Sequence, residues 1–121
     1  MNNNVLMDYK LLKIVFRDLK KFYENPYFYE NPYKNSSSNA IVVSKDDIVN
    51  AIRLYETNAI DMAELVRWAD VMQLSELYTY PDDAIEQEQV ATAMDMIVNI
   101  HLFDICLDDI YLSKIKNILK M

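Results

Sequence analysis

Glycine is missing from this chain of 121 residues, where average usage of about 7% would supply roughly eight. Its absence excludes the glycine-dependent phosphate loop, the dinucleotide-binding fingerprint and the nucleophile elbow. Cysteine is reduced to Cys106, so no intrachain disulfide can form, and a reducing cytoplasm is the expected compartment. No stretch approaches the run of about 18 uncharged apolar residues that spans a bilayer. The longest candidate, Met96 to Phe103, is broken by Asn99 and His101 and flanked by Asp95 and Asp104. The opening residues do not read as a signal peptide, because Asp8, Lys10 and Lys13 interrupt any apolar core. What is plentiful is apolar surface: 52% of the residues are hydrophobic, which excludes wholesale disorder. The length suits one domain whose core needs neither disulfide nor metal.

Positive charge is scarce where it would matter for nucleic acid. The chain holds 12 Lys and Arg against 19 Asp and Glu, a net of −7. Residues 45–109 carry three basic and fifteen acidic side chains, a net of −12, whereas residues 1–34 carry +2 and residues 110–121 carry +3. Between Arg67 and Lys114 ten acids occur without one Lys or Arg. Phosphate neutralisation needs a basic footprint, so nucleic acid is not the expected partner. The same field would attract a basic protein and speed its encounter, or serve only to keep a small protein soluble.

Apolar residues recur at helical spacing along most of the chain. Val5, Leu6, Tyr9, Leu12, Val15, Phe16, Leu19, Phe22 and Tyr23 form one stripe, predicting a helix over 5–23. Its basic residues would suit a membrane surface, but Asp8, Asp18 and Glu24 dilute them, and no membrane partner is expected. The hexapeptide FYENPY then occurs twice in tandem, at Phe22 to Tyr27 and Phe28 to Tyr33. Each Asn-Pro is a turn signal, giving a tyrosine-rich loop that either covers the bundle or recognises a partner. The tract from Asn35 to Asn39 reads as a connector, so 24–43 is expected to be loop.

Helix punctuation is clearest after residue 43. Ser44 can cap a helix with Asp47 at its third position, and Val43 with Ile48 can form a hydrophobic staple. Asn58 suits the left-handed residue that ends this helix. Asp61, Glu64 and the pair Ile60 and Leu65 repeat the start signal. Residues 44–73 therefore predict a helical hairpin, with Leu65, Trp68, Ala69 and Met72 facing inward. Leu74 to Tyr80 is ambiguous, with a further helical turn before Pro81 as one option. C-terminal helices are expected over 82–120, one starting at Asp82 or Asp83 and another near Asp108. The first of them carries Val90, Met94, Ile97, Val98 and His101 on its apolar face. Ala40 to Val43 is the lone β-like run. The expected fold is an all-α, single-domain bundle of about five helices.

Catalytic chemistry finds little support. His101 is the lone histidine, the Glu-x-x-His pattern of di-iron bundles is missing, and on an apolar helix face His101 reads as a core residue. Cys106 has no candidate base nearby in sequence. The pairs Asp46-Asp47, Asp82-Asp83 and Asp108-Asp109 each stand at a predicted helix start, where capping accounts for them without chemistry. No catalytic residue, metal or cofactor is expected, although a hydrolase using paired carboxylates stays as a minor alternative.

The run YETNAIDMAELVRWA, from Tyr55 to Ala69, resembles a helix–turn–helix block of small acidic bacterial immunity proteins, including those of contact-dependent growth inhibition and related toxin systems. Tyr55, Ile60, Asp61, Glu64, Leu65, Trp68 and Ala69 carry the likeness. Such blocks usually have glycine where Asn58 or Ala59 stands and Ser or Thr where Asp61 stands, and the match spans roughly an eighth of the chain. The resemblance implies a cytosolic protein without cofactor that binds a toxin domain. A basic nuclease cleft, occluded by an acidic surface, is the expected target, with a monomer as the expected state. The expected contact surface is Glu76, Tyr78, Tyr80, Asp82, Asp83, Glu86 and Glu88, five carboxylates and two tyrosines around Pro81. The alternative is a helical adaptor or self-associating protein that uses the tyrosine repeat.

Overall fold

A computed structural model describes residues 3–13, 41–74 and 78–121. Among the described residues the order is α1 (Asn3–Lys10), β1 (Ile41–Val42), α2 (Lys45–Glu56), α3 (Met62–Leu74), β2 (Tyr78–Thr79), α4 (Ala84–Leu102) and α5 (Asp109–Leu119). The chain is an all-α single domain, and the one sheet among the described residues is a pair of two-residue strands. The tyrosine repeat, the Ser/Asn connector and the part of the expected first helix beyond residue 13 lie outside the described residues.

The hairpin forms where its punctuation places it. At the start of α2 the Ser44 amide and hydroxyl donate to Asp47 Oδ2 at 2.8 and 3.1 Å. At the start of α3 the capping is reciprocal: the Glu64 amide donates to Asp61 Oδ1 at 2.8 Å, and the Asp61 amide donates to Glu64 Oε1 at 3.3 Å. Both staples, Val43 with Ile48 and Ile60 with Leu65, are buried. Asp83 and Asp108 finish the set by accepting from the amides of Glu86 and Tyr111, each at 2.9 Å.

Helix ends must manage without glycine. Leu12, Asn58, Asp104 and Lys120 all take positive φ, between 52° and 64°. Each is followed by an amide that reaches back five residues: Lys13 to Asp8, Ala59 to Leu54, Ile105 to Ile100 and Met121 to Lys116. This is the Schellman closure, built four times on residues that carry a Cβ. A left-handed L-residue costs about 1–2 kcal/mol, least for Asn and Asp, whose short polar side chains tolerate it.

The core gathers around α4, which packs against α2, α3 and α5. Trp68, Ile48, Ile52, Leu65, Met72, Met94, Ile97 and Ile115 are its largest fully buried side chains. Leu65, Trp68, Ala69 and Met72 face inward as their spacing predicts. The Tyr111 hydroxyl donates to the Met96 carbonyl at 2.6 Å and ties α5 to α4.

Two expectations are corrected and one stretch left open is assigned. The helix predicted over 5–23 stops at Lys10, because Leu12 turns left-handed and the end of α1 is held from outside. Trp68 Nε1 donates to the Lys10 carbonyl at 3.0 Å, and Asn50 Nδ2 donates to the Leu11 carbonyl at 3.3 Å. Those partners lie 39 and 58 residues away, beyond the reach of local periodicity. Second, Tyr78 and Thr79 form β2 instead of a helical turn, pairing in parallel with Ile41 and Val42. Third, His101 is exposed, and Ile100 is buried in its place. In the last turn of α4 the covered side runs through Ala93, Ile97 and Ile100, and His101 opens to solvent.

Two stability outcomes follow from these contacts. Lys120→Gly should stabilise the fold by about 1 kcal/mol by relieving the left-handed cost, whereas Asn58→Gly and Asp104→Gly should be near neutral. Asp47→Ala should cost about 3 kcal/mol, because the Lys10 ammonium 3.3 Å away and mostly buried loses its partner. Urea unfolding midpoints of the purified variants check both.

Candidate protein-binding surface

Of the described residues expected to meet a partner, Tyr78 is the one that the fold buries. Tyr78 is 5% exposed and belongs to the core, so it cannot touch a partner without opening the fold. The reason is its pairing with Ile41 in the strand ladder, which turns the ring inward. Glu76 lies outside the described residues. Tyr80 is half-buried, Glu86 is half-buried, and Asp82, Asp83 and Glu88 are exposed.

Several of these groups are already engaged. Glu86 Oε2 accepts from the Lys45 amide at 2.9 Å, so the start of α4 is pinned to the start of α2. Asp83 caps α4 while remaining exposed. Gln87 Nε2 donates to the Pro81 carbonyl at 3.2 Å, and Pro81 is buried. Gln73 donates to Asp95 on α4. Burial raises the Tyr80 phenol above its ordinary value; the Asp95 carboxylate adds to the rise, and a hydrogen bond with Gln73 opposes it. Burial also raises the Tyr111 phenol.

Exposed negative charge is also found away from the start of α4. Asp46, Glu56, Asp61, Asp95, Asp104, Asp108 and Asp109 are all exposed. Some finish helix ends as expected, yet capping leaves their charge in place. An open groove of about 680 Å³ lies between the α2–α3 turn and the start of α5, with Glu56, Asp61, Glu64 and Asp109 among its lining residues. Lys116 Nζ meets Glu56 Oε2 at 2.5 Å beside it.

A second groove of about 450 Å³ runs between α3 and the end of α4. Its lining is mostly apolar, with Ala63, Val66, Val98, Leu102 and Ile105, and Met62 lines both grooves. Met62 is 44% exposed, Leu102 65%, Phe103 69% and Ile110 69%. Sequence reasoning missed these residues. Their signal was weak: apolar side chains just outside the helical stripes, at Met62 ahead of Leu65 and at Leu102 and Phe103 beyond Val98.

Among the described residues, no group of three or more His, Cys, Asp and Glu could hold a metal ion. Cys106 is exposed. No helix of the described residues is long and apolar enough to cross a membrane. The chain matches no protein-family model, no curated protein and no solved structure.

The tyrosines make a pH dependence testable. Both phenols hold their proton more tightly folded than unfolded, so their contribution is complete below about pH 10 and lost as pH rises through the folded values. Stability should therefore fall above about pH 10, and Tyr80→Phe should flatten part of that fall. Unfolding by urea across an alkaline series measures it.

Proposed function

We propose that this chain is an immunity protein that binds and neutralises a cognate toxin domain, a basic nuclease, by covering its active site with an acidic surface. One observation carries the reading: residues 45–109 hold a net of −12, and most of their carboxylates are exposed. The block from Tyr55 to Ala69, with its likeness to immunity proteins, supports it. Its residues form the α2–α3 turn beside the acidic groove.

The mechanism requires no chemistry from this chain and works in the cytoplasm. A nuclease must present positive charge to phosphates. An acidic protein entering that cleft offsets the charge and excludes the substrate. Coulomb attraction accelerates the encounter, whereas packed apolar and aromatic anchors lengthen the dwell time. Because Glu86 and Asp83 hold helix starts together, Asp82 and Glu88 are the better places to probe charge near α4 without loosening the fold.

The test starts from the adjacent reading frame: where it encodes a large secreted protein, the C-terminal domain of that protein is coexpressed with this chain. Growth should be restored, the two chains should copurify, and nucleic acid should compete with this chain for the toxin. The association rate should fall steeply with added salt, and Asp82→Lys with Glu88→Lys should lower it about three- to tenfold at low salt. A toxin that remains active and unbound in the presence of this chain overturns the reading.

A further inference from the structure

The two grooves meet at Met62, and together they present an apolar wall beside a negatively charged floor. We infer that this face, around Met62 and Leu102, docks an amphipathic segment of a basic partner protein, apolar side chains in the α3–α4 groove and Lys or Arg in the acidic one. The inference rests on the reading of a basic protein as partner and moves the contact away from the stretch around Pro81.

Exposure supplies the first argument. Met62 and Leu102, which both line the groove between α3 and α4, leave 44% and 65% of their surface in solvent. Apolar side chains that share one groove and stay this exposed mark a surface for a partner. The groove between α3 and α4 has the volume of a site for side chains of a partner.

Charge decides what the cover is. Glu56, Asp61, Glu64 and Asp109 line the acidic groove, and Lys116 offsets one of them. The starts of α3 and α5 add about half a positive charge each. Roughly two negative charges remain after these offsets. In the apolar groove Asp70 and Asp104 face Arg67, at the negative end of the nineteen-residue α4. A second copy would bring the same negative face and be repelled, and so would an anionic lipid surface. A segment with lysine or arginine beside leucine-like side chains is attracted by both halves.

The probe is a synthetic amphipathic helical peptide of leucine and lysine, with a leucine–glutamate peptide of equal length as its control. On the full chain, methyl NMR shifts should concentrate at Met62, Val66, Leu102 and Ile105 with the lysine peptide and be absent with the glutamate peptide. At physiological salt, where distant charges are screened, Met62→Lys with Leu102→Ser should weaken binding about tenfold, and Asp82→Lys with Glu88→Lys should change it less than about twofold. Glu64→Gln with Asp109→Asn keeps the capping geometry, so the fold persists, and it should weaken binding about threefold. Shifts scattered over other acidic helix starts, equal binding of the glutamate peptide, no binding, or self-association through this face overturns the proposal. Failure of the toxin reading is separable: a chain that binds the lysine peptide here without protecting cells sinks that reading alone. A protective chain whose Met62→Lys, Leu102→Ser variant still binds and protects sinks this one alone.

Discussion

The Asp47 carboxylate is where local and long-range order meet. It accepts from Ser44 to start α2, and it holds the Lys10 ammonium, which also donates to the Val42 carbonyl at 3.3 Å. Through that one lysine the end of α1 is fastened to β1 and to the first turn of α2. Trp68 completes the joint from the opposite side by donating to the Lys10 carbonyl. A buried carboxylate and a mostly buried ammonium are expensive to desolvate separately, so each requires the other in place. The arrangement converts a short helix of marginal intrinsic stability into a fixed part of the core.

A chain without glycine has to close its helices by other means, and among the described residues it does so with one geometry four times over. Asn58 and Asp104 bring short polar side chains that tolerate the left-handed region; Leu12 and Lys120 do not, and the contacts around them have to offset the cost. Leu12 packs against the core, which explains why a leucine persists in so unfavourable a backbone position.

Much of the fold was legible because its signals are local. Ser44 with Asp47, Asp61 with Glu64, Asn58, and Asp83 and Asp108 all act within a few residues of themselves, and each does in the structure what its spacing implies. What escaped was set by partners distant in sequence: the early end of α1 at Trp68 and Asn50, and the burial of Tyr78 by Ile41. His101 escaped for a related reason, since periodicity reports a face and not where its cover stops. The expected contact stretch was legible as charge, but the inward turn of Tyr78 was not, because nothing local distinguishes an exposed tyrosine from one in a strand ladder.

The carboxylates at helix starts serve the fold and the surface potential at once. Asp61, Asp83 and Asp108 remain in solvent while accepting backbone amides, so a lineage that traded one of them for a new specificity would lose stability in the same step. Asp82, Glu88 and Asp104 sit outside those amide contacts. Divergence toward a different partner is therefore channelled into a few positions of this architecture, with the rest of its charge held in place by the helices it begins.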